Sequence, residues 1–130
     1  VKVDLIIRGI CCLKPGVKGL SENITVRSIV GRFLEHTRVF YFENNGKPEV
    51  WAGSADLMKR NLLRRVEACF PIDSKRLRQR VIDDLEIYLS DNTQAWLLSE
   101  DGRYQRVERP DNVEAISAQA TLLASMEKSY

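Results

Sequence analysis

Apolar and polar residues change rhythm several times along the chain, and each rhythm predicts an element. Val3-Asp4-Leu5-Ile6-Ile7 is a short β-rich run, and Arg8-Gly9 follows it, which places Arg8 at a strand end. Lys14 to Asn23 contains Pro15, Gly16, Gly19, Ser21 and Asn23 and reads as a surface loop, the usual carrier of binding groups. Ile24 to Ile29 resumes a strand. Thr37 to Phe42 is rich in β-branched and aromatic residues, Asn44-Asn45-Gly46 signals a turn, and Glu49 to Ala52 rises again, so a β-hairpin is predicted. Gly53-Ser54 ends its second strand. Leu57 to Leu63 has room for one or two helical turns, and Pro71 closes the run Val66 to Phe70.

The strongest helical pattern comes next. Asp73 or Ser74 can cap it, and Leu77, Val81, Ile82, Leu85, Tyr88 and Leu89 fall on one face at three- and four-residue spacing. Trp96 to Val107 reads as a hairpin about Asp101-Gly102. Asn112 is the expected cap of a last helix with Val113, Ile116, Ala120, Leu123 and Met126 as its stripe. No internal repeat, low-complexity tract or linker interrupts this order.

Composition narrows the classes. The 130 residues suit one core, and the chain is read as a single domain, 1–130. It opens Val1-Lys2-Val3 with a strand beginning at once, as a piece of a longer protein would. Twenty Lys and Arg stand against 18 Asp and Glu, with 44% hydrophobic residues, so the chain is neither disordered nor polybasic. No apolar run approaches the roughly 18 residues that span a bilayer. Cys11, Cys12 and Cys69 are odd in number with two adjacent, which disfavours disulfides and suits reduced thiols in the cytoplasm. They are read as small buried residues. With one histidine and no Cys-x-x-Cys, no metal site is expected among these residues.

The one histidine, His36, begins the pattern with chemistry in it. His36-x-Arg38 is followed four residues later by Glu43, then by Gly53-Ser54-Ala55-Asp56 and by Glu67. Two residues apart on a strand, His36 and Arg38 would share a face and present an imidazole and a guanidinium to one anion. Phosphoryl chemistry needs cationic donors, a proton donor for a leaving oxygen, and a turn that approaches closely; Arg38, His36 and Gly53-Ser54 match those needs. The plainer alternatives are a packed histidine, an exposed Arg38–Glu43 charge pair, and a Ser54/Asp56 turn that caps the next helix. The aromatics Tyr41, Trp51, Trp96 and Tyr104 sit at strand spacing and read as packing groups. Lys75, Arg76, Arg78 and Arg80 oppose the dipole of their helix, so either a polyanion, a subunit contact or plain solvent receives them.

The pattern is a variant of the phospholipase D superfamily motif, with Arg for Lys and Glu for Asp. The wider wording, LIIRGICCLKPGVKGLSENITVRSIVGRFLEHTRVFYF and WAGSADLMKRNLLRRVEACFPI, resembles the C-terminal catalytic region of polyphosphate kinases from about Val3 to Ile72, and the element order to Lys128 agrees with it. The resemblance implies an α/β fold, a phospholipase-D-like mixed sheet flanked by helices, in an incomplete copy of the domain. It implies reversible transfer of the γ-phosphoryl group of ATP to polyphosphate through a phosphohistidine in another domain, with Mg²⁺ held outside this fragment.

By the same resemblance, Arg8 of RGICCL and His36 of FLEH contact nucleotide phosphates, and His36 serves as the catalytic acid or base. Arg38 and Ser54 complete the expected phosphate-binding set, and Glu67 is a candidate to orient a histidine. The implied partners are ATP or ADP, polyphosphate and other domains of the same enzyme, not nucleic acid. The longer protein is expected to be a cytoplasmic homo-oligomer, with membrane association left open, and the fragment alone to be inactive. Two other functions stay open: a non-catalytic module that binds polyphosphate or nucleotide, and a homodimeric phosphodiesterase that uses His36 as nucleophile.

Overall fold

The computed structural model describes residues 1–127, so Lys128 of the expected element order lies outside the described residues. Strands β1 (Val3–Ile6), β2 (Ile24–Ile29), β3 (Val39–Phe42) and β4 (Glu49–Gly53) precede helix α1 (Lys59–Arg64) and β5 (Cys69–Pro71). Helix α2 (Lys75–Ser90), β6 (Ala95–Leu98), β7 (Tyr104–Arg106) and helix α3 (Ala118–Glu127) follow. This is a mixed α/β chain with two compact units. The first comprises Val1–Leu34 and the chain from Glu86 onward, the second Glu35–Leu85.

In the first unit four strands pair in the order β1-β2-β6-β7. β1 and β2 are parallel, with Val3 opposite Ile24, whereas β2–β6 and β6–β7 are antiparallel. Alternation along β2 sends Val26 and Ser28 inward, and Val26 joins Ala95, Leu98, Ala118 and Leu122 in a small core. Arg27, on the opposite parity, donates from Nη1 to the carbonyls of Tyr88 and Leu89 at 3.2 and 2.5 Å. It thereby caps the C-terminal end of α2, whose last turn has no basic residue of its own. The loop from Lys14 to Asn23 is more built than a surface loop requires. Ser21 is buried, donates to the Lys14 carbonyl at 2.5 Å and accepts from Val17 N at 3.1 Å, and Pro15 is buried with it.

The last helix begins later than its periodicity predicts: α3 starts at Ala118, and Asn112 lies in a turn. The reason is Asp91, only 2% exposed. Its Oδ1 accepts from the backbone N–H groups of Thr93, Gln94 and Ala95 at 3.0, 2.7 and 3.1 Å, and its Oδ2 accepts from Ala118 N at 2.7 Å. Asn92 binds both Glu114 O and Ile116 N, each at 2.8 Å, and residues 114–116 so held stay outside the helix. Ser117 is the local cap, accepting from Ala120 N at Oγ (3.5 Å) and from Thr121 N at its carbonyl (2.9 Å), and Asp91 satisfies the further orphan N–H of Ala118 from 27 residues away, which local sequence does not reveal.

In the second unit β3, β4 and β5 form an antiparallel sheet in that order. The β3–β4 hairpin turns at Asn44, Asn45 and Gly46, all at positive φ, where asparagine and glycine are the tolerant residues. Val50 is its one fully buried hydrophobic residue. Pro71 does not close the following run from outside but sits inside β5, opposite Trp51, which an edge strand permits. Ser74 caps α2: Leu77 N reaches its Oγ at 3.5 Å and Arg78 N its carbonyl at 2.9 Å.

The helical stripe of α2 exists, but it is covered only in part. Val81, Ile82, Leu85 and Tyr88 are half-buried, and Leu77 and Leu89 are exposed. The cysteines depart from expectation: Cys12 and Cys69 are exposed and Cys11 is half-buried, because two sit in a loop and the third on the β5 edge. No helix among the described residues is long and apolar enough to cross a membrane.

Candidate functional site

The expected site residues fall on both units. Arg8 lies in the first unit, exposed and two residues past the end of β1. His36, Arg38 and Ser54 lie in the second. His36 and Arg38 are not on a strand. They occupy the irregular segment before β3, His36 exposed and Arg38 half-buried, so strand alternation does not set their directions. Hydrogen bonding does: Arg38 Nη1 donates to the His36 carbonyl at 3.1 Å, and Arg38 Nε to Asp56 Oδ1 at 2.7 Å. The Arg38 carbonyl also accepts from Gly53 N at 2.9 Å, which extends the β3–β4 ladder by one bond and fixes Arg38 beside the Gly53-Ser54 turn.

Glu43 does not pair with Arg38. β3 carries it to the far end of the hairpin, where its carboxylate accepts from Asn45 N at 2.9 Å and Gly46 N at 2.7 Å and braces the turn. Nor do Ser54 and Asp56 cap the next helix. The N-cap of α1 is Met58, with no side-chain bond, and the Asp56 carboxylate goes to Arg38 instead.

Around Ser54 a second set of bonds closes. Ser54 Oγ donates to Glu67 Oε2 at 2.5 Å and accepts from Ala68 N at 3.0 Å, while Ser54 N donates to Ala68 O at 3.0 Å. A hydroxyl has one proton to donate, and here Glu67 receives it. Asn61, 4% exposed, donates from Nδ2 to Glu67 Oε1 at 2.8 Å, and its buried Oδ1 takes no hydrogen bond from the described residues. The Ser54 and Asn61 bonds hold the Glu67 carboxyl below the usual carboxylate range, with Arg65 and Arg38 adding attraction; partial burial opposes them. Arg38, in turn, is held charged above its ordinary value, first by the Asp56 hydrogen bond.

The product is a preorganised polar cluster. Arg38 uses two of its five N–H donors in these bonds, and a guanidinium fork so held can meet the non-bridging oxygens of a phosphate with the others. The Arg38–Asp56 bond, Asn61 and the Glu67–Ser54 bond were the parts that residue spacing did not identify. The Gly-Ser-x-Asp wording pointed at the turn, but nothing local says that Asp56 faces Arg38.

A resident Mg²⁺ does not fit these residues. Among the described residues no group of three or more His, Cys, Asp or Glu side chains can hold a metal ion. The two carboxylates of the cluster are engaged by Arg38, Ser54 and Asn61.

Comparison with known proteins gives the arrangement a family. A polyphosphate kinase of Pseudomonas syringae pv. tomato is 59% identical over 123 residues, covering 95% of this chain and 17% of the relative. One from Burkholderia vietnamiensis is 63% identical over 107 residues, covering 82% of this chain and 16% of the relative. The crystal structure of a polyphosphate kinase from Porphyromonas gingivalis superposes with a TM-score of 0.93 at 40% identity, over 99% of this chain and 20% of that one. The chain thus spans about a sixth to a fifth of the proteins it matches. Residues 1–119 match the family described as polyphosphate kinase C-terminal domain 2, and the chain belongs to that family.

Proposed function

We propose that this chain contributes half of a phosphoryl-transfer site in a polyphosphate kinase that moves the γ-phosphoryl group of ATP reversibly onto polyphosphate. The observation that carries the reading is the Arg38–Asp56 pair, tied to the His36 backbone and set beside the Ser54–Glu67 turn, in a chain of this family. A guanidinium oriented before substrate arrives stabilises developing charge on transferring oxygens without reorganising at the moment of reaction.

In this reading Arg8 and Arg38 bind phosphate oxygens, and His36 donates or accepts the proton at the oxygen that leaves or attacks. Ser54 shapes the turn through Glu67 and Ala68 and meets phosphate as a donor only when its proton leaves Glu67. The phosphoryl group is carried by a histidine outside these 130 residues, since His36 is the single histidine here and has the supporting role. Mg²⁺ enters with ATP or through ligands outside this chain. The fold in this reading is phospholipase-D-like, and the fragment alone does not turn over.

The test is phosphoryl trapping in the full-length enzyme that carries this domain. With ATP labelled at the γ position, label should appear on a histidine outside residues 1–130, and changing His36 to Gln should slow its appearance without moving it to another residue. Label recovered on His36 itself would overturn the reading.

A further inference from the structure

The cations of the second unit are segregated. α1 carries Lys59, Arg60 and Arg64, and Arg65 follows directly. α2 opens with Lys75, Arg76 and Arg78, and Arg80 lies one turn on. From residue 59 to residue 80 there are eight cations and two carboxylates, Glu67 and Asp73, whereas the rest of the unit has two cations and six carboxylates. All eight are exposed except Arg78, which is half-buried.

Internal neutralisation does not explain them. Arg80 pairs with Asp84 at 2.9 Å; among the described residues the other seven enter no ion pair. Glu67 attracts Arg65 only at range, its oxygens being bonded to Ser54 and Asn61. The first turn of α2 has no acidic residue, so its cations face the positive end of their own helix, an arrangement unfavourable in the unliganded chain. An anionic occupant reverses that cost, because helix N-terminus and side chains then act on the ligand together.

The distribution indicates the shape of the occupant. Seven cations without an ion pair, six on the two helices and Arg65 among the ten residues that join them, exceed what one nucleotide's phosphates can engage, and suit a long, uniformly charged chain. Single-stranded nucleic acid would want aromatic platforms between the cations, and the segment offers one aromatic residue, Phe70. We infer that the exposed cations of α1 and of the start of α2 form a track that binds the linear polyphosphate chain outside the transfer site. The inference rests on the polyphosphate kinase reading for its ligand and on this charge pattern for its location.

The test uses the full-length enzyme carrying this domain, with end-labelled long-chain inorganic polyphosphate, tripolyphosphate and single-stranded DNA as probes. Two double variants are compared with wild type: Lys75→Glu with Arg76→Glu, and Arg60→Glu with Arg64→Glu. The first places acid at a helix N-terminus and favours the helix, so unfolding does not account for lost binding; circular dichroism checks both. Each should weaken long-chain binding by roughly tenfold or more and flatten the plot of log K against log salt by about 0.7 per contact removed. Tripolyphosphate affinity should be little changed.

Unchanged long-chain affinity would overturn the track. Equal losses for tripolyphosphate would place these cations in the transfer site, and single-stranded DNA bound as tightly as polyphosphate would make the occupant a nucleic acid; either result overturns it too. If wild type binds long polyphosphate through these residues but transfers nothing from ATP, the track stands and the proposed function fails.

Discussion

Arg38 and Asp56, 18 residues apart in the chain, meet through a 2.7 Å charge-assisted hydrogen bond, and the same guanidinium holds the His36 carbonyl. The pair ties the segment before β3 to the turn after β4, so it bears on geometry more than on stability. Both side chains remain about a quarter to a third exposed. Asp56→Ala should leave the fold in place and lower kcat/KM of the full-length enzyme by up to roughly a hundredfold, the scale of a misplaced catalytic contact. Steady-state kinetics beside a thermal melt check this; a large loss of Tm with kinetics intact would contradict it.

His36→Ala in the full-length enzyme should remove most polyphosphate synthesis, by roughly a hundred- to ten-thousandfold if the imidazole serves as general acid or base. Circular dichroism should be unchanged, since His36 is exposed. Near-normal turnover would remove His36 from the reaction.

Ser54→Ala should raise the Glu67 pKa toward the ordinary carboxylate range, because the Ser54 bond is the largest cause of its depression. A carboxyl with a folded pKa below its unfolded one stabilises the fold above the unfolded value and loses that contribution as pH falls through the folded value. Wild type should therefore keep more of this contribution in mild acid than Ser54→Ala does. Carbon-13 NMR titration of the Glu67 side chain reads the shift directly, and an unmoved titration would show that Ser54 does not set it.

Asp91→Asn tests the buried hub. Oδ1 can keep its three N–H partners, but the new amide nitrogen would confront Ala118 N–H, donor against donor. A buried polar group left unmatched costs about 1–3 kcal/mol, and Asp91→Ala, which strands four N–H groups, should cost more than Asp91→Asn. Urea denaturation of the full-length enzyme, followed by hydrogen exchange at Ala118, measures both.

Gly31→Ala should be destabilising although glycine's backbone freedom is not in play. An added Cβ would lie 2.3 Å from Gln119 Oε1 and 2.7 Å from Gln94 Oε1. Gln119 is not free to swing away, since it is buried and bonds Phe33 N at 3.0 Å and Phe33 O at 2.8 Å. The expected cost is about 1–3 kcal/mol, and combining it with Gln119→Ala should give less than the sum of the single effects. Strict additivity in denaturant melts would separate the two residues.

Much of this protein could be read along the chain. The strands at Val3–Ile6 and Ile24–Ile29, both hairpins, the Asn44-Asn45-Gly46 turn and the Ser74-capped helix are local events, set by β-branched runs, by positive-φ tolerance and by helical spacing within a few residues. The family was legible too, because RGICCL, FLEH and GSAD are specific words. The charge excess over residues 59–80 is visible along the chain too, whereas the lack of ion pairs for seven of its eight cations among the described residues is not.

Tertiary structure decided the bonds that join distant residues. Spacing suggested that Arg38 would face Glu43 or share a strand face with His36. The hairpin instead carries Glu43 to its tip and brings Asp56 to Arg38. The start of α3 was misplaced for the same reason, since Asp91, 27 residues upstream, takes the Ala118 N–H and sets the helix to begin at the Ser117 cap and not at Asn112. Backbone propensity acts over a few residues, and the sequence by itself determined what such preferences can decide; which carboxylate meets which cation depends on how strands and helices return to one another, and only the folded chain chose that.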